Sequence, residues 1–141
     1  MSEWIALEKA AKDYFENNLG IDLQSPFPIL INVPGRTPQI HRFDAGSHEH
    51  QIAIECKCHQ WVRGKALPPA KFSNWNEAMH LFNCLPEGFR KVFCVMRCLQ
   101  EGSGKALSAL YIERNGHLIP SDVEIYEGEK NPVNWSFSRV L

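Results

Sequence analysis

The chain has 141 residues, 44% hydrophobic and 22% charged, with a net charge of −1. One core of about 100–150 residues accounts for that length, so a single domain over residues 1–141 is expected. The composition excludes a disordered chain, a collagen-like fibre and a coiled-coil fibre. No apolar run approaches the roughly 20 residues of a membrane helix. Fifteen Lys and Arg against sixteen Asp and Glu leave no bulk positive charge with which to grip nucleic acid, so a nucleic-acid reading must rest on a local site. Glu3, Glu8 and Lys9 interrupt the first ten residues, which leaves no signal-peptide core, and a cytoplasmic protein is expected. The five cysteines, an odd number, are expected as reduced thiols.

In chain order, residues 2–19 read as a helix. Ser2 stands at its N-cap, Gly20 ends it, and Trp4, Leu7, Ala11, Tyr14 and Phe15 recur at steps of three and four on one buried face. Glu8, Lys12 and Glu16 form a second stripe beside it. Residues 29–33 and 39–45 read as strands separated by Pro34-Gly35, and residues 46–51 as a hairpin loop. In residues 51–59, Ile52, Ile54, Cys56 and Cys58 alternate with Ala53, Glu55, Lys57 and His59. A strand sends the first set to the core and projects Glu55 and Lys57 together from the other face.

Residues 61–72 read as a loop, and Ser73 is expected to cap a helix running to about Asn83, with Trp75, Ala78, Met79 and Phe82 as its apolar stripe. Residues 91–99 read as a strand buried on both faces. Residues 103–114 read as a helix, against a rival Asn115-Gly116 hairpin, and residues 123–126 as a strand. Trp135, Phe137 and Val140 in the tail call for docking or pairing across a subunit interface. The pattern is an α/β sandwich around a mixed β-sheet flanked by helices, an α-β-β-β-α-β core followed by α-β.

The chemistry concentrates on two neighbouring strands. If residues 39–45 and 51–59 pair antiparallel, Asp44 lies beside Glu55 on one face. Two carboxylates so close repel, and a hard divalent cation such as Mg²⁺ relieves that strain while leaving positions for phosphate. The Cys56 backbone carbonyl offers one more oxygen. Lys57 beside them is placed to hold or deprotonate a water, or to stabilise charge on a phosphorane-like transition state. The plain alternative is a salt-bridge cluster on a solvated sheet face.

The run Phe43-Asp44, ten residues, then Glu55-Cys56-Lys57, preceded by Ile52-Ala53-Ile54, resembles the PD-(D/E)XK motif of the restriction-endonuclease-like nucleases. The element order across about residues 2–99 is similar to that family's core. Phe43 stands where the motif usually has proline, and the chain after Gly104 has no counterpart in it. The resemblance implies a three-layer restriction-endonuclease-like sandwich and a Mg²⁺- or Mn²⁺-dependent nuclease. Asp44 and Glu55 would be metal ligands, Lys57 the catalytic lysine, and Glu8, with Glu16 as the spare, an added acid from the first helix. The size resembles that of the small dimeric Holliday-junction resolvases, which implies a homodimer acting on DNA in preference to RNA.

Further residues have a functional and a plain reading each. His59 either touches phosphate or ends a strand. Lys71, Asn76 and His80 on the second helix either line a nucleic-acid cleft or form a solvated face. Arg36, His41-Arg42, Arg63-Gly64-Lys65 and Lys71 either rim the site or are ordinary surface. Trp61 and Trp75 either stack on bases or anchor the core. Cys56, Cys58, Cys84, Cys94 and Cys98 with His59 or His80 raise a structural zinc reading, although no Cys-x-x-Cys pair occurs. The competing classes are therefore a metal-dependent nuclease, an inactive interaction module on the same fold, and a small zinc protein.

Overall fold

The computed structural model describes residues 2–61 and 69–141, the side chains of residues 69–71 apart. Among the described residues the elements are helix α1 (Glu3–Leu19), strands β1 (Phe27–Ile31), β2 (Gln39–Phe43), β3 (Ala45–Ser47) and β4 (Ile52–Lys57), helix α2 (Pro69–Asn83), strand β5 (Arg90–Met96), helix α3 (Leu107–Asn115) with a 3₁₀ turn (Gly116–Leu118), and strands β6 (Val123–Lys130) and β7 (Trp135–Arg139). β3-β4-β5-β6-β7 form one mixed sheet and β1-β2 a separate antiparallel ribbon. β4, β5 and β6 run parallel, while β3 and β7 close the two edges antiparallel.

Two cores follow from the strand alternation. Ile52 and Ile54 of β4, with Val92, Cys94 and Tyr126, meet Ala11 and Phe15 of α1 on one face. Ala53, Phe93, Val95 and Ile125 meet α2, α3 and the β1-β2 ribbon on the other. The strand order advances steadily from β4 to β6, so two crossovers of one hand place α2 and α3 on the same side. Trp75 anchors that larger core. It is 1% exposed, with ring centroids 4.9 Å from Tyr111 and 5.5 Å from Phe93, both edge-on. Burying such an aromatic stabilises the fold by about 2–3 kcal/mol.

Several expectations are met by different means. Gly20 ends α1 in the left-handed region, with φ 65° and its N–H donating to the Glu16 carbonyl at 2.9 Å. Ser2 has extended dihedrals but makes no side-chain cap bond. Leu7, Ala11 and Phe15 are buried as their spacing requires, whereas Trp4 is 56% exposed. The predicted strand 39–45 is two strands, because the chain leaves the ribbon at Phe43 and enters the main sheet at Ala45. Ser73 does not cap α2. The helix already runs at Pro69, whose fixed φ and missing N–H suit a helix start. Residues 62–68 of the predicted loop lie outside the described residues.

The Asn115-Gly116 hairpin does not form. Gly116 has φ −55° and carries α3 into the 3₁₀ turn. The predicted last strand extends to Lys130, and the tail turns back as β7 against β6 within the same chain, Gly128 opposite Phe137. No helix among the described residues is long and apolar enough to cross a membrane.

Gly46 fixes the seat of β3. A Cβ there would lie 2.3 Å from Phe27 Cδ2 and 2.6 Å from the Ile52 carbonyl oxygen. Only glycine lets the ribbon's Phe27 and the backbone of β4 close on β3 together, and this closure sets the position of the residue two places earlier, Asp44.

Candidate active site

The site is built where β3 begins. Ala45 pairs with Ile54, so Asp44 falls opposite Glu55. The next ladder partner of Cys56 would come from residue 43, but Phe43 already belongs to β2. The Asp44 side chain takes that place, and the Cys56 N–H donates to Asp44 Oδ2 at 2.7 Å. The N–H and C=O of a strand residue point to the same edge. The Cys56 carbonyl therefore faces the edge that β3 leaves uncovered, beside the Asp44 carboxyl. Ser25 Oγ–H donates to the Asp44 carbonyl oxygen at 2.7 Å and holds the turn.

Glu55 is 6% exposed. Its face of β4 is therefore not the solvated one that a surface salt-bridge cluster requires. The β1-β2 ribbon covers it, and His41 Nε2 stands 3.4 Å from Glu55 Oε2. His41 is itself packed edge-on against Phe43, with centroids 4.6 Å apart.

Glu8 reaches the same place from α1. Its carboxyl and that of Glu55 both lie within hydrogen-bonding reach of Asp44. Burial, then the Glu55 carboxylate, then Glu8 push the Asp44 carboxyl from an ordinary 3.8 up to about 9, although the Cys56 N–H opposes the shift. Burial raises Glu8 as well, with Glu55 adding to the rise while Asp44 and the Lys57 ammonium oppose it. Three carboxyls thus crowd one spot, with Asp44 between Glu8 and Glu55. Lys57 stands close enough to Glu8 to act on it electrostatically, and among the described residues no carboxylate takes Lys57 in an ion pair.

Glu16 does not join this cluster. It lies two turns further along α1 and closes that helix's end, accepting the Leu23 N–H at 2.8 Å and the Lys12 ammonium at 3.1 Å. The Leu23 bond is the main cause of its lowered pKa.

The remaining sequence candidates separate. His59 stays beside Lys57 at the end of β4 and accepts the Trp75 indole N–H on Nδ1 at 2.7 Å. The burial of Trp75 in the core thus fixes the His59 ring, with its remaining ring proton on Nε2. Asn76 and His80 do not face the carboxyls. α2 turns Trp75, Ala78, Met79 and Phe82 to the core. This carries Asn76 and His80 to a separate cavity of about 330 Å³ shared with Asn83 and His117. There Asn76 accepts the Tyr111 hydroxyl at 2.8 Å. The Lys71 side chain and Arg63-Gly64-Lys65 lie outside the described residues. Trp61 packs against the larger core with Trp75.

The cysteines form no metal cluster. All five are free, and Cys56 and Cys94 are cross-strand partners, with burial and their mutual contact holding the Cys56 thiol well above its usual range. Cys58, just past the end of β4, has its Sγ 3.7 Å from Met96 Sδ at the end of β5. Among the described residues no three His, Cys, Asp or Glu side chains form a ready-made metal-binding group. Asp44 is held instead by the Cys56 N–H, and Glu55 stands beside the His41 ring.

Sequence reasoning missed two features. The contact of His41 with Glu55 was signalled only by His41 and Phe43 standing two apart on one strand, which gives them a common face. The exposure of Trp4 had no signal, because its spacing matches the buried stripe. No family model, no curated protein and no solved structure matches the chain.

Proposed function

We propose that the chain is a Mg²⁺- or Mn²⁺-dependent nuclease on a restriction-endonuclease-like scaffold, hydrolysing phosphodiester bonds in DNA. One observation carries this reading: Glu8 of α1, Asp44 at the junction of β2 and β3, and Glu55 of β4 converge with Lys57 at the uncovered edge of β4. The order of the first hundred or so residues, a helix, four strands, a helix and a strand, resembles the α-β-β-β-α-β scaffold with its second strand split in two, and supports that reading. A cleft on so small a chain reaches only part of a duplex, which favours a homodimer.

The donor set suits a hard cation. Glu8, Asp44, Glu55 and the Cys56 carbonyl are all oxygen ligands, the kind Mg²⁺ prefers. Burial, with the Glu55 and Glu8 carboxylates beside it, raises Asp44 to about 9, and a divalent cation there would offset the crowded negative charge. When bound, the ion would supply charge neutralisation for a phosphate and a bound water of lowered pKa. The residues' own work follows from their places. Asp44, just before β3, and Glu55 on β4 would hold the ion through their oxygens, and His41 orients Glu55. The Cys56 N–H keeps Asp44 in its rotamer. Lys57 holds its ammonium, or loses its proton to act as a base, at the position where the attacking water or the departing oxygen would lie.

The inactive-module reading draws support from one observation, the hydrogen bonding already engaging Asp44. Incubation of the wild-type chain with linear, supercoiled and branched DNA in Mg²⁺ and in Mn²⁺ separates the two. The nuclease reading predicts cleavage that Glu55→Ala abolishes. Intact DNA in every combination, or cleavage that Glu55→Ala leaves unchanged, overturns it.

A further inference from the structure

Trp4 breaks the rule of its own helix. It lies three residues before Leu7 on the stripe that α1 buries, yet Leu7 is the first of that stripe to be buried and Trp4 is 56% exposed. The first turn of α1 extends past the packed face, and the indole stands over a cavity of about 480 Å³ lined, among the described residues, by Glu3, Trp4, Lys57, Cys58 and His59. Lys57 belongs both to this cavity and to the carboxyl cluster.

The polar lining is fixed. The Glu3 carboxylate accepts from Gln60 Nε2–H at 2.7 Å, and the His59 ring is held by the Trp75 indole at 2.7 Å with the two rings stacked at 19°. Of the two tryptophans that the sequence offered for base stacking, Trp75 is buried in the core and Trp61 packs half-buried against it. The exposed one at the site is Trp4.

We propose that Trp4 is a stacking platform for an unpaired nucleobase of a DNA strand whose phosphate lies at the carboxyl cluster, so that the site takes single-stranded or frayed DNA. This rests on the nuclease reading of that cluster. An aromatic face beside a lysine suits a nucleotide, with the base on the indole and a neighbouring phosphate on Lys57. An aliphatic side chain in the cavity would leave the Lys57 ammonium desolvated without a partner. Base–aromatic stacking tolerates any sequence, so the platform adds affinity without sequence preference.

The test is an anisotropy titration with a labelled phosphorothioate oligothymidylate, whose linkages resist hydrolysis, and with its abasic counterpart. Trp4→Ala should weaken binding of the base-containing strand about tenfold, Trp4→Phe should retain most of the affinity, and the abasic strand should bind wild type and Trp4→Ala alike. Quenching of intrinsic fluorescence on binding should be clear in wild type and reduced in Trp4→Phe, a readout that stands even if Trp4→Ala folds poorly. Equal affinity of wild type and Trp4→Ala, an equal loss on the abasic strand, or quenching unchanged in Trp4→Phe overturns the platform. So does normal oligonucleotide binding by a Trp4→Ala chain whose sedimentation has changed, which would assign Trp4 to a contact between copies. Trp4-dependent binding without cleavage in either metal would overturn the nuclease reading and leave the platform standing. Cleavage without Trp4-dependent binding would do the reverse, and no binding by wild type would overturn both.

Discussion

Lys57→Met should cleave DNA at least ~10³-fold more slowly than wild type while binding Mn²⁺ with unchanged affinity. Methionine keeps the length and much of the apolar stem of lysine but removes the ammonium. Lys57 is half-buried at the end of β4, and among the described residues it forms no ion pair, so removing its charge breaks no salt bridge and takes from Glu8 only the weaker field of a nearby ammonium. Its loss should therefore appear in kcat rather than in folding or in the metal isotherm. Single-turnover cleavage beside a thermal melt checks this. Cleavage within about threefold of wild type would remove Lys57 from the chemistry. A large drop in melting temperature would make it a structural residue.

Asp44→Asn should stabilise the metal-free protein, and increasingly so as the pH rises. The sign follows from the two states of the aspartate. Unfolded, its carboxyl has the ordinary value of 3.8; folded, burial and the carboxylates of Glu55 and Glu8 raise it to about 9. The folded state thus binds the proton more tightly. Its contribution is fully present below about pH 3.8 and is lost as the pH climbs towards about 9. Asparagine is neutral throughout, can still accept the Cys56 N–H through its carbonyl oxygen, and offers an amide donor to the neighbouring carboxylates. A gain of ~2 kcal/mol near pH 8 is expected in chelator, shrinking towards pH 5. Melting curves across that range decide the matter. A variant less stable at every pH would show that Asp44 is an element of the fold and that its charge is not under strain.

Much of this arrangement is visible in the residue order, and the invisible parts have physical reasons. The alternation in β4 separates Ile52 and Ile54 from Ala53 and Glu55, because a strand has only two faces and each of these faces meets a different core. The hairpin spacing between Asp44 and Glu55 likewise limits the register enough to bring them together. The break at Asp44 between β2 and β3 is not legible, since it depends on Phe27 and Gly46 meeting in space. The resemblance ranks Glu8 ahead of Glu16, whereas the four-residue spacing alone does not, since which turn of α1 crosses the edge of β4 is a tertiary property. Trp4 belongs to the apolar period of α1, but periodicity says which way a side chain points and not whether the sheet extends beneath it. The start of α2 was misplaced because Ser73 makes an equally good cap on paper, whereas a proline at the first turn loses no helix hydrogen bond.

The central claim is that the carboxyls of Glu8, Asp44 and Glu55 are gathered to take a divalent cation. Calorimetric titration of the chelator-treated protein with Mn²⁺ near pH 7.5 tests it most directly, without any assumption about substrate. The account predicts one ion per chain, heat that varies with buffer because the Asp44 proton is released on binding, and an isotherm weakened at least tenfold by Asp44→Ala. A flat titration, or an isotherm that Asp44→Ala leaves unchanged, would contradict it.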